Sequence, residues 1–512
     1  MLVKVFGAAV QGIDAIIVTI EVNQSRGCKF FLVGLPDSAV KESHERIMSA
    51  LQINGFRFPT SQIIVNMAPA AIRKEGAAYD LPLAIGILSA SGVVTNERLG
   101  TYVMMGELGL DGSLKPIKGA LPIAIEARAE HFSGLIVPKE NAQEAAIVNK
   151  LAVYGADNLK EVVDFLNGEE TMLPTVVDTR ANFKKQQASF DFDFSEVKGQ
   201  ENVKRALEVA AAGGHNLIMI GSPGSGKSMM AKRLPSILPP LSLNESLETT
   251  KIHSVAGKLV KGMSLLSTRP FRSPHHTISQ VAMVGGGVVP QPGEISLAHH
   301  GVLFLDELPE FNRSVLEVLR QPLEDRQINI SRAKYSVDYP ASFMLVASMN
   351  PCPCGYYNHP TKSCVCSPGQ VQKYLNKISG PLLDRIDIQI EIVPVPFEKM
   401  ANREETEQSA VIRERVIKAR KIQERRFEKV PNVFCNAQMS TRLLAKYAVL
   451  DAACLTLLKS AMQRLNLSAR AYDRILKVSR TIADLEGVSE ITTSHIAEAI
   501  GYRNLDRENW AG

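Results

Sequence analysis

Apolar and polar positions in the first third of the chain alternate with the period of strands, lapse into helical spacing, and do so repeatedly. The runs Ala15 to Val22, Ile63 to Asn66 and Gly134 to Pro138 read as short strands, with turn signals at Gly34-Leu35-Pro36 and Asp111-Gly112. The first residues also predict a strand: Gln11 and Asp14 break the apolar region and Glu21 follows without a small-residue cleavage site, so a signal peptide is not expected. The most apolar run, Leu81 to Val94, carries Pro82, Gly86 and Ser89 and predicts a core helix. No apolar run reaches the roughly 18 residues a membrane-spanning helix needs. Residues 1–168 are therefore expected to form a compact α/β module. Over 169–194 no period is sustained, which predicts a linker whose Phe190, Phe192 and Phe194 pack on a neighbouring domain. Strands and helices return over 195–396. From 397 to 512 the pattern is almost purely helical, with one long helix over Arg403 to Val430 and three or four further helices through Leu443 to Ser460, Arg470 to Leu485 and Thr493 to Tyr502. Ser440, Ser468 and Thr493 offer hydroxyls as N-caps.

Composition narrows the class without naming a partner. The chain has 512 residues, 45% of them hydrophobic and 22% charged. Such proportions exclude a disordered chain, a collagen-like fibre and a disulfide mini-protein. A net charge of +5 is too dilute to argue for or against nucleic acid. Seven cysteines, four of them crowded together, do not resemble a secreted disulfide framework and point to reducing cytoplasm.

The apolar strand Leu217 to Ile220 runs straight into Gly221-Ser222-Pro223-Gly224-Ser225-Gly226-Lys227-Ser228, and a helix follows. This fits G-x-x-x-x-G-K-[ST] at every fixed position. The glycines let backbone N–H groups turn toward phosphate oxygens at a helix N-terminus. Lys227 is expected on the β- and γ-phosphates and Ser228 on Mg²⁺. Downstream, Gly301 to Leu305 is an apolar strand ending in Asp306 and Glu307. Asp306 is placed to hold Mg²⁺ and Glu307 to polarise the attacking water. The strand Phe343 to Met349 ends in Asn350, which could orient that water, or simply begin a turn before Pro351. The run Ser379 to Asp387 contains Arg385, which could reach a neighbour's nucleotide and stabilise transition-state charge. Arg470 opens a helix of the last region and could reach the nucleotide from the lid side.

This order of motifs resembles the AAA+ ATPases: P-loop, Asp-Glu strand, Asn strand tip, Leu-Leu-Asp-Arg, helical lid. The segments Phe271 to His276, Gly285 to Gly287, Pro292 to His300 and Arg320 to Glu324 resemble the magnesium-chelatase-like branch, and the whole chain resembles the ComM/YifB family. The resemblance implies an α/β fold with a Lon-like N-terminal domain, a central P-loop AAA+ parallel-sheet core and a C-terminal helical lid. It implies Walker A roles for Lys227 and Ser228 and Walker B roles for Asp306 and Glu307. Asn350 would be sensor 1, Arg385 the arginine finger and Arg470 sensor 2. It also implies that the long gap between Lys227 and Asp306 holds an insert facing a ring pore. His275-His276 and His299-His300 are then pore or nucleotide-proximal residues, or simply hydrogen-bonded turn histidines.

Gly106 to Gly119 and Leu135 to Glu140 resemble the Lon protease domain, which cuts peptides with a Ser–Lys pair. Here the serine position falls on Ala78 and the lysine position near Leu121, while Lys115 and Lys118 lie off the family register. Proteolysis is not expected.

Cys352, Cys354, Cys364 and Cys366 form two C-x-C pairs in one short segment. Four thiolates can enclose a tetrahedral Zn²⁺, with His359 able to replace one sulfur; the alternative is free thiols or a transient disulfide. Cys28, Cys435 and Cys454 are expected to be ordinary buried thiols.

Two classes of work compete. The resemblance implies a homo-hexameric ring that hydrolyses ATP to move on DNA and drives branch migration in recombination during natural transformation. The other is a ring that remodels a protein partner. Magnesium insertion into porphyrin ranks last, because it needs partner subunits. The basic stretch Arg413 to Arg426 is a candidate DNA contact or a solvated helix face, and Lys258, Lys261 and Arg269 form a second basic segment without stacking aromatics.

Overall fold

The computed structural model describes residues 1–94, 97–169, 172–178, 190–260, 262–287, 290–332, 335–395, 406–465 and 467–503. Half of the linker (170–171 and 179–189), Lys261 and the Arg403 start of the long helix lie outside the described residues.

The N-terminal module is a seven-stranded sheet in the order Phe30–Val33, Gln62–Ala68, Asp14–Ser25, Leu2–Gln11, Tyr102–Met104, Gly134–Pro138, Ala152–Ala156. The Asp14–Ser25 strand is antiparallel to both neighbours, and the remaining pairs are parallel. The core helix is Asp80–Ala90, with every residue buried, as its unbroken apolarity requires.

The central region holds a second sheet in the order Phe271–Arg272, Val302–Leu305, Met344–Met349, Leu217–Gly221, Ile388–Ile392, parallel throughout. Its three middle strands are wholly buried, which explains why they read as continuous apolar runs rather than alternating ones. The three parallel strands that carry Gly221, Asp306 and Asn350 all end at one edge of this sheet, the edge where α/β folds place ligands.

The C-terminal region is helical: Ser409–Phe427, Thr441–Tyr447, Ala452–Arg464, Ala469–Glu486 and Thr493–Gly501. The run Leu443 to Ser460 is two helices, which makes four after the long one among the described residues: the Asp451 side chain accepts from Cys454 N at 2.7 Å and restarts the helix. One expectation needs correction: the last N-cap is Thr492 rather than Thr493. Of the predicted linker, Phe194 is buried in the core, its N–H donating to Ser409 Oγ at 2.8 Å, while Arg233 and Arg413 lie over Phe192 and Phe190. The helix Leu243–Val255, part of the insert before Asp306, packs on the N-terminal module. Gly119 N donates to Ser254 O at 3.1 Å, and Lys251 pairs with Asp14 at 2.5 Å.

Candidate functional site

The phosphate loop turns between a buried strand and the helix Lys227–Ile237, with Gly224 and Gly226 at φ of +77° and +94°. A side chain there would be strained. Lys227 Nζ donates to Gly221 O at 2.7 Å, Ser222 O at 2.9 Å and Asn350 Oδ1 at 3.1 Å. Burial pushes its pKa down, and the carboxylates of Asp306 and Glu307 oppose that. Ser228 Oγ donates to Asp306 Oδ2 at 2.6 Å. A hydroxyl and a carboxylate meeting at one point are the hard oxygen donors Mg²⁺ prefers, and a lysine beside them suits phosphate oxygens. The residues present therefore fit Mg²⁺–ATP.

Glu307 sits just past the strand with φ of +54°, a sparsely populated conformation for a non-glycine residue, and its side chain is 58% exposed. The turn lifts the carboxylate away from Asp306 and into solvent, where a water can reach it. Ser348 was not singled out from the sequence. Its hydroxyl bonds Asp306 Oδ1 and accepts from the backbone Glu307 N at 3.4 Å, so it orients the Asp306 carboxylate and pins the turn that carries Glu307. Its signal was a polar residue inside an apolar strand. His276 was offered with two readings, and its Nδ1 lies 3.9 Å from Glu307 Oε2, nucleotide-proximal. His299 and His300 are different. Both Nε2 atoms lie near Glu248 Oε2, at 3.2 and 3.0 Å, and Ser342 N donates to His299 Nδ1. Accepting at Nδ1 leaves the His299 proton on Nε2, which favours a carboxylate partner over a metal.

The two arginines stand elsewhere. Asn216, at the start of the phosphate-loop strand, donates from Nδ2 to Arg385 O at 3.0 Å. The five-residue strand Leu217–Gly221 then spans roughly 16 Å to the loop. Arg385 pairs with Glu324 at 2.5 Å and donates to Pro381 O at 2.6 Å. Arg470, read as reaching the nucleotide from the lid, pairs instead with Asp384 at 3.0 Å. Both arginines thus lie at the end of the sheet opposite their own phosphate loop.

The four clustered sulfurs all lie within 4.8 Å of one another, with Cys352–Cys354, Cys352–Cys364 and Cys354–Cys364 at 3.3, 3.7 and 3.6 Å. Zinc at about 2.3 Å from each sulfur sets tetrahedral edges of about 3.8 Å, so the spacing fits. Burial raises the Cys354 thiol, but N–H groups of Tyr356 and Val365 and hydrogen bonds with Cys352 and Cys366 bring it down to about 6. At Cys364 and Cys366 backbone hydrogen bonds are outweighed by burial and the neighbouring sulfurs, which push both thiols up. His359 Nδ1 accepts from its own turn at Lys362 N. Elsewhere Cys435 and Cys454 are buried as expected, but Cys28 is exposed, at the bend before an edge strand.

A cavity of about 620 Å³ surrounds Ala78, with Arg73, Glu75, Glu107 and Lys118 among its lining. No serine, threonine or cysteine lines it among the described residues. Leu121 is buried, its N–H donating to Glu144.

The basic helix is largely occupied by contacts within the chain. Arg413 bonds Leu238 O, Arg415 pairs with Glu208 and Glu407, Arg420 bonds Ala211 O and Arg426 pairs with Asp484. Lys418, Lys421 and Arg425 are its exposed cations.

Family models described as magnesium chelatase subunit ChlI match residues 193–400, with further ChlI models over 20–141 and 406–503. Competence protein ComM of Haemophilus influenzae is 45% identical over 508 residues, 98% of this chain and 97% of its own. YifB of Salmonella typhimurium is 44% identical over 98% of this chain and 96% of its own. The magnesium-chelatase 38 kDa subunit of Rhodobacter capsulatus is 27% identical over 31% of this chain and 50% of its own. With full-length relatives at this identity and a parallel P-loop core, the chain belongs to the ComM/YifB family of magnesium-chelatase-like AAA+ proteins.

Proposed function

We propose that this protein is an ATP-hydrolysing ring motor that moves on DNA and drives branch migration in recombination during natural transformation. One observation carries the ring: the phosphate loop and the two arginines occupy opposite ends of one sheet. Head-to-tail packing of copies, as in a homo-hexamer, brings one chain's Arg385 and Arg470 to the next chain's nucleotide. The DNA reading is supported by the full-length similarity to a protein named for competence.

Bound Mg²⁺–ATP supplies the scissile phosphoryl group and the metal that neutralises it. Lys227 exchanges the carbonyls of Gly221 and Ser222 for phosphate oxygens. Ser228 and Asp306 hold the metal, and Ser348 fixes the Asp306 carboxylate. Glu307 accepts the proton of the attacking water, which Asn350 helps to orient. The neighbour's Arg385 meets the charge that develops on the transferred group.

The Ala78 cavity, with no serine, threonine or cysteine lining it among the described residues, supports a Lon-like domain retained for binding rather than cleavage. The sulfur spacing supports one structural zinc per chain. No helix among the described residues is long and apolar enough to cross a membrane, in keeping with work in the cytoplasm.

The test is ATP turnover with and without forked DNA, together with unwinding of a branched substrate. Turnover stimulated by DNA and falling steeply with salt is expected. Turnover that ignores DNA but responds to a protein replaces this reading with an AAA+ remodeller.

A further inference from the structure

The cysteine-bearing turn touches the phosphate loop directly. Gly355, between Cys354 and Tyr356, has φ of +83°, and a Cβ there would fall 2.5 Å from Cδ and 2.7 Å from Cγ of Pro223. The surfaces of turn and loop are therefore in contact with no room for a methyl group. The same short segment grips the nucleotide site a second time. Asn350, two residues before Cys352, accepts from Lys227 Nζ at 3.1 Å.

What fixes the curvature of this segment is not an apolar core. Its cluster contains two buried residues, Cys352 and Val371, with the other cysteines, Tyr357 and Leu375 packed around them. A core that small does not order a loop unaided, whereas a tetrahedral metal bonded to four sulfurs does.

We propose that the metal-loaded cysteine turn is a working part of the nucleotide site, and that its occupancy by a soft divalent cation sets the phosphate loop's affinity for nucleoside triphosphate. This rests on the reading of the four sulfurs as a zinc site. Metal bound at the sulfurs seats Gly355 against Pro223 and holds Asn350 in line with Lys227. Without metal, the turn relaxes and both contacts go with it.

The test uses the full chain, with zinc counted by mass spectrometry and a fluorescent ATP analogue as the affinity probe. Zinc is stripped with a mercurial reagent, thiols are restored, and Mg²⁺ is held constant throughout. The expected result is one zinc per chain, with affinity lowered about 10- to 100-fold on stripping, the range that loss of a supporting shell costs, and recovered when zinc is returned. Gly355→Ala tests the contact from the turn side: zinc content holds and analogue affinity falls, with the melting temperature lowered only as far as one side chain at positive φ costs. Gly487→Ala, at φ of +74° with nothing within 4 Å of its Cβ, is the control: it carries the same backbone strain and leaves zinc content and analogue affinity unchanged. A chain that binds no zinc, even when zinc is supplied, overturns the metal reading itself. A chain that binds zinc but keeps its analogue affinity both when stripped and as Gly355→Ala overturns only the coupling.

Discussion

Arg470 donates to Asp384 at 3.0 Å, and Asp384 is the residue immediately before Arg385. The two arginines thus stand close together in the chain's fold, at the end of the sheet opposite their own phosphate loop, Arg470 exposed and Arg385 largely covered by its pairing with Glu324. Arg385→Ala should leave ATP binding intact and lower turnover by about 10³-fold or more, the usual cost of losing an arginine finger. Mixing Arg385→Ala with Lys227→Ala should restore part of the activity, because a ring of both contains sites with one intact half from each. Mixtures as inactive as either parent would place the arginine's role within its own chain.

Glu307→Gln should bind ATP and retain it, with turnover reduced at least about 10²-fold, since the proton acceptor for the lytic water is gone. Lys227→Ala should instead fail to bind. Equilibrium binding and single-turnover hydrolysis on the same preparations separate the two.

Buried His299 gives the fold a pH dependence. Burial foremost pushes His299 down to about 4, with the charge of His300 acting in the same direction and Glu248 opposing. The unfolded chain, with a histidine pKa of about 6.5, binds more protons between those values, so stability should fall as pH drops from about 6.5 toward 4. Urea unfolding across this range should show a shallower slope for His299→Gln. An unchanged slope would assign the acid sensitivity to other groups.

Arg426 pairs with the wholly buried Asp484, which also receives Arg480 and Asn436. Arg426→Ala should cost about 2 kcal/mol of stability, because the carboxylate loses one of three partners and keeps two. Lys418→Ala and Lys421→Ala should leave stability within about 0.5 kcal/mol. If this helix meets DNA, those two should also flatten the salt dependence of binding by about one ion each.

Much of the core was legible because its chemistry is local. The phosphate loop is contiguous, and buried parallel strands announce themselves by running apolar without alternation before a polar tip, as at Asp306 and Asn350. Ser348 was not legible because its role depends on strand neighbours across the sheet. The placement of Arg470 was not legible either, since helix spacing fixes which face carries a side chain but not where the helix docks. The basic run was only half legible for a related reason: sequence shows the charges, not the carboxylates and carbonyls that engage them.

Asp387 is buried, receives Arg474 at 3.0 Å and His215 Nδ1 at 3.1 Å, and His215 Nε2 meets Thr481 Oγ1 at 2.8 Å. These bonds fasten the helix Ala469–Glu486 to the edge of the central sheet through a charge that burial makes expensive to expose. Sheet and lid of one chain are therefore tied together at this point. In the proposed ring such a tie would favour bending at the joints between chains, so that the stroke would be a property of neighbours.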